Sequence, residues 1–260
     1  MSNTTLVKRR FGSKTAAVAL AMAMGAALCL ASSPATTRAQ EHKAMSTEQT
    51  LSAKQQAIAP IAAFTAVGNM PKLHTALNKG LDAGLTISDA KEILVQLYAY
   101  TGFPRSLNAL GELMKVVQER QQRGIHDAPG RDPGPIPSGE ELLAVGTANQ
   151  TKLSGAPVKG PLFDFAPAID QYLKTHLFGD IFARDNLDWQ IRELATVGAL
   201  AAMPDVESQL QSHIRISMNV GLSAAQLRQL AQGLAQQGEA DPAARTQAAL
   251  DKQLAEAAKR

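Results

Sequence analysis

The sequence predicts an all-α protein built from a duplicated helical unit. Three observations carry this. No stretch alternates apolar and polar residues with the period of two that a half-buried strand needs, whereas apolar residues recur at helical spacing along most of the chain. Glycine and capping residues fall at regular breaks in that pattern. A shift of 137 residues lays Asn78–Thr86 over Arg215–Ser223, with Gly84-Leu-Thr over Gly221-Leu-Ser.

Taken in order, residues 1–39 read as a signal peptide. Lys8, Arg9, Arg10 and Lys14 form a basic start, Thr15 to Ala31 is an apolar run, and Thr37-Arg38-Ala39 is a small-residue cleavage site. The alternative is a membrane anchor, which normally needs about 20 apolar residues. A cleaved signal implies a periplasmic or secreted protein with no stable membrane insertion. The only cysteine, Cys29, lies in this segment, so residues 40–260 hold no thiol. Five of the 26 basic residues and none of the 23 acidic ones also lie there. The remainder then carries 21 basic and 23 acidic side chains, a net of about −2, with no basic patch to argue for nucleic acid.

Helices are expected at about 52–67, 71–83, 87–101 and 104–123. Gly84 and Gly124 stand where helix C-termini favour glycine, and Thr86 where an N-cap is wanted. Gly102-Phe103-Pro104 separates the third from the fourth, with Pro104 as the first residue of the latter. Residues 125–163 hold six prolines and many glycines and read as a connector with one short helix near Glu140–Asn149, capped by Ser138. Further helices follow near 164–178, 188–202, 205–220 and 223–237. The segment 239–260 forms a final helix with Asp241 as N-cap and Pro242 after it. The two repeats span 46–124 and 164–238.

Glu92, Gln96 and Tyr100 lie at i, i+4 and i+8, one polar row on a helix otherwise covered by Ile93, Leu94, Leu97 and Tyr98. Buried polar groups left unpaired cost about 1–3 kcal/mol each, so the row needs partners. Arg105 and Ser106 fall in the first turn after the break, at the positive end of the helix dipole, a candidate anion-binding corner. In the other half, His213 lies beside the stripe Val206, Leu210, Ile214, Ser217, and Glu193 sits in the apolar helix that starts at Trp189. His74, His126 and His176 have no metal-ligand spacing, so no metal is implied.

Gly84-Leu-Thr followed by Y-A-Y-T-G-F-P-R-S-L-N-A resembles the carboxymuconolactone decarboxylase family, which includes the alkylhydroperoxidase D-like proteins. The second half, with L-D-W-Q-I-R-E-L-A and then Q-S-H-I-R-I-S-M-N-V-G-L, is similar to that family's R-E-L … H-x-x-x-A-x-x-x-G pattern, with His213 at the family's histidine. The first half has Ala76 there. The resemblance implies an alkylhydroperoxidase D-like bundle and one composite site. Glu92, Gln96, Tyr100, Arg105 and Ser106 would come from the first half, Glu193 and His213 from the second. His213, Glu193 and Tyr100 would be catalytic, and Arg105, Gln96, Glu92 and Ser106 would bind substrate.

The implied chemistry is cofactor-free decarboxylation or isomerisation of a small carboxylated lactone. Arg105 would hold carboxylate, Tyr100 would stabilise developing charge and His213 would return a proton. The family's peroxide-reducing branch uses a C-x-x-C pair whose places are Val206 and Gln209 here, so thiol activity is not expected. A non-enzymatic small-molecule binding protein is the remaining alternative. For Glu193, an ion pair with Arg192 or Arg215 is the purely structural reading. The family's assembly implies a homotrimer that mimics a hexamer.

Overall fold

A computed structural model describes residues 50–259. The expected signal peptide lies outside the described residues. These are mostly helical, with no strand among them.

The centre is a pair of buried helices, the apolar α2 (Ile58–Val67) and α8 (Trp189–Ala202), which carries Arg192, Glu193 and Thr196 among apolar residues. Every residue of α2 from Ile58 to Ala66 is buried, as is every residue of α8 from Ile191 to Ala202. A helix that is apolar all round can lie only inside. The two backbones touch: a Cβ on Gly198 would fall 2.6 Å from the Ala59 carbonyl oxygen, so only glycine fits there. A four-residue helix, α1 (Ala53–Gln56), leads into α2, capped by Ser52 through a capping box with Gln55.

Around this pair stand α3 (Met70–Asp82), α4 (Ile87–Gln122), α9 (Glu207–Asn219), α10 (Ala224–Gln236) and α11 (Ala240–Ala257). The expected break after residue 101 is a kink at one residue of α4: Gly102 has φ 79° and ψ 159°, and helix resumes on both sides. Ser106 marks the kink from within, its hydroxyl donating to the Leu94 carbonyl at 2.7 Å.

The connector is strapped down at its start. Ile87 and Ser88 N–H donate to the carbonyls of Ala128 and Pro129, both at 2.9 Å, so the free N–H groups of α4 are satisfied by the chain that follows it. After it come α5 (Glu140–Ser154), α6 (Pro161–Phe165) and α7 (Pro167–Tyr172), then a π-helical segment, Leu173–Ile181. The sequence predicted a single α-helix over 164–178. Pro167 splits it, and the wider π turn takes over past Tyr172. Leu153 of α5 packs with Leu177, Phe178, Ile181, Phe182 and Ile216 in a second core.

Two expected caps are absent. The N-cap of α5 is Gly139 rather than Ser138, with no side-chain bond, and α11 starts at Ala240 after Glu239, leaving Asp241 in its first turn. There Asp241 adds charge at the dipole's positive end rather than a capping bond.

The 137-residue shift recurs in the helices and turns. α3 and α9 each have 13 residues, starting at Met70 and Glu207, and α4 and α10 start at Ile87 and Ala224. Gly84 and Gly221 have φ of 94° and 97°. Thr86 with Asp89 and Ser223 with Gln226 form matching capping boxes. Gly68, at φ 70°, matches Asp205, at φ 62°, where a non-glycine residue takes up the left-handed conformation.

Candidate functional site

The polar row of α4 faces α8, and between them lies a dense buried network. Glu92 is 4% exposed and accepts from Arg184 through Nε and Nη2, the shortest contact being 2.6 Å. Arg192, fully buried, adds a bond from Nη2 at 3.2 Å. Arg192 also donates from Nη1 to the Gln96 amide oxygen at 3.1 Å and from Nη2 to the Arg184 carbonyl at 3.0 Å, and its guanidinium stands over the Phe182 ring. The Gln96 amide nitrogen donates to the Arg192 carbonyl and to the Thr196 hydroxyl, both at 2.8 Å.

Burial alone would raise the Glu92 carboxyl, but the bonds and charges of Arg184 and Arg192 outweigh it and hold the group below its ordinary value. Burial lowers the Arg192 guanidinium against the pull of Glu92. The network joins the two halves and fixes the register of α4 on α8.

About 100° round α8 from Arg192, Glu193 is fully buried and its Oε2 lies 2.8 Å from His213 Nδ1. His213 is 8% exposed. The Tyr100 ring meets the His213 ring edge-on, with centroids 5.5 Å apart and planes at 81°. Burial, and then the Glu193 carboxylate, push the Tyr100 hydroxyl well above its ordinary range, so it stays protonated. Three buried oxygens here make no well-formed hydrogen bond with the described residues: Tyr100 OH, which has the Thr196 hydroxyl as its neighbour, Glu193 Oε1, and Ser217 Oγ one helical turn beyond His213. Each unpaired group costs about 1–3 kcal/mol, so these oxygens call for partners, which a water or a bound molecule would supply.

The structure therefore brings together Glu92, Gln96, Tyr100, Glu193 and His213, from both halves. Within the set the roles divide. Glu92 and Gln96 are consumed by the two arginines, while Tyr100, Glu193 and His213 form the cluster with free polar atoms.

Two expected residues are elsewhere. Arg105 is exposed and its guanidinium lies against the α2 C-terminus: a Cβ on Gly68 would fall 1.6 Å from its Nη1. It makes no hydrogen bond or ion pair with the described residues. Its long stem reaches into the room that Gly68 leaves, where the sequence placed only its backbone at a helix start. Ser106 is buried and committed to the kink.

Sequence reasoning missed Arg184 and Thr196, and of the two ion pairs that it held open as the structural alternative for Glu193, the one with Arg192 is not formed: Arg192 pairs with Glu92. Adjacent residues on a helix point about 100° apart, which is the signal that could have separated them. Among the described residues no group of three or more His, Cys, Asp or Glu side chains converges as metal ligands.

Residues 167–253 match the carboxymuconolactone decarboxylase family. The match spans α7 to most of α11 and so contains Glu193 and His213, while Tyr100 and the Gly102 kink lie before it. No curated protein matches the chain.

Proposed function

We propose that the protein is a cofactor-free acid/base catalyst of the carboxymuconolactone decarboxylase kind, acting on a small carboxylated lactone by decarboxylation or isomerisation. The observation that carries this is the buried Glu193–His213 pair with Tyr100 against the imidazole. Glu193 holds Nδ1, which leaves Nε2 as the nitrogen that exchanges a proton. In a decarboxylation the bond to the carboxylate breaks and CO2 leaves. The electron pair stays on the adjacent carbon, conjugated with the lactone carbonyl as an enolate. Tyr100, kept protonated, donates to the oxyanion, and His213 delivers the proton to carbon. Arg105 has no part in this reading.

The recurrence of caps and helix starts at 137 residues supports a tandem duplication, with the site shared between copies. Phe103, Leu107 and Met114 of α4, each more than 60% exposed, support burial against further copies in a homotrimer. Residues 1–39 support export to the periplasm or medium; no helix among the described residues is long and apolar enough to cross a membrane.

The test is turnover of 4-carboxymuconolactone by residues 40–260, followed by absorbance and CO2 release. Loss in His213→Ala by about 10²–10⁴-fold, with Arg105→Ala retaining activity, is the expected result. Equal turnover in wild type and His213→Ala would overturn it.

A further inference from the structure

The counterpart of the closely packed His213 site under the 137-residue shift is a cavity. It measures about 250 Å³ and lies between α1 and α2, α3 and α10. Its lining follows the shift position by position: Gln56 stands for Glu193, Ala76 for His213, Gly233 for Gln96 and Gln237 for Tyr100. An imidazole, a phenol and an amide side chain are thus replaced by a methyl group, a glutamine and nothing, and space opens where the other site is filled. The carboxylate becomes a neutral amide, so the proton-exchanging pair is gone.

The polar groups that remain are one cation and neutral amides, with no carboxylate among them. Lys79, exposed where its counterpart Ile216 is buried, lines this cavity with no ion pair among the described residues. The amides of Gln56, Gln236 and Gln237 share the wall with alanine methyls. Gln56 Nε2 donates to the Leu51 carbonyl, which holds that side chain in place and leaves its oxygen free. One cation, several amide groups and an apolar floor suit a carboxylate on a small apolar body. The volume is below the roughly 300–1,000 Å³ of sites for drug-sized ligands, which sizes that ligand as small.

We propose that this cavity is a second, non-catalytic binding site for a small monocarboxylate, with Lys79 as its charge partner. The proposal rests on the duplication set out above and not on the decarboxylase reading.

The experiment is calorimetric titration of benzoate into residues 40–260 and three variants. Gly233→Leu puts a side chain into the cavity where a Cβ meets no atom within 4 Å, and leucine favours helix over glycine; an unchanged thermal melt checks that it folds. Lys79→Met removes the charge and keeps the stem. His213→Ala vacates the other site. The expected result is saturable binding at millimolar benzoate, weakened about tenfold or more in Lys79→Met and abolished in Gly233→Leu, as loss of a charge-assisted bond and of the space require. Binding stays within about twofold in His213→Ala. No saturable binding, binding indifferent to Gly233→Leu or to Lys79→Met, or binding lost in His213→Ala would each overturn the proposal. Turnover is read separately, so a failure here leaves the catalytic reading untouched.

Discussion

The regions 53–101 and 190–238 share caps, glycine turns and helix starts, and differ at nearly every polar position of the interior. Thr86 and Ser223 close the same capping box, while Glu92 answers to Gln229 and His213 to Ala76. Backbone instructions and chemistry are thus carried by separate residues. Gln229 still marks the place of the network, its amide oxygen accepting from Leu51 N–H at 2.7 Å, where Glu92 takes two arginines.

The comparison breaks hardest at His213. Removing its partner by Glu193→Gln should cost turnover by about 10²-fold, whereas Gln56→Ala at the matching position should leave turnover within about twofold. Equal losses in both would show that the two halves share the chemistry.

Next in size is the ionic network. Glu92→Gln leaves Arg192 buried without its carboxylate and should destabilise by about 3–5 kcal/mol. Gln229→Ala, which frees one backbone N–H, should cost about 1 kcal/mol. Urea denaturation measures both, and equal costs would sink the distinction.

The pH limits follow from the same groups. Glu92 titrates below its ordinary value of 4.5 in the folded protein, so its contribution is present above that pH and is lost as pH falls through the lower folded value. Tyr100 titrates above its ordinary value of 10, so its contribution is intact below pH 10 and is lost as pH rises past it. Thermal melts should show Glu92→Gln flattening the acid limb and Tyr100→Phe the alkaline limb. An alkaline limb unchanged in Tyr100→Phe would remove Tyr100 from the account.

The smallest effect expected is at the turn between the paired helices. Asp205→Gly, copying Gly68, relieves a left-handed aspartate and should stabilise by up to about 1 kcal/mol, offset in part by glycine's chain entropy. A clear destabilisation would mean that the Asp205 side chain holds the turn.

How much was legible follows from range. Thr86, Gly84, Gly221 and the break at Gly102 act on their own neighbours, and the sequence placed all four. The row Glu92, Gln96, Tyr100 was legible as a face needing partners, because helical spacing is local. Which partners it found was not: Arg184 lies 92 residues away on a turn after the π segment, and its reach depends on how that segment winds. Arg105 shows the same limit from the other side, since a long flexible stem goes where a distant Gly68 leaves room.

The contact of Gly198 with Ala59 decides how the halves could be parted. With no side chain between the two backbones and α2 apolar on every face, parting the halves would bare the central helices to water. Nicking the chain in the exposed stretch around Pro135 would yield two fragments that stay clasped, reassemble when mixed and melt as one, while either fragment alone would aggregate through its bared central helix.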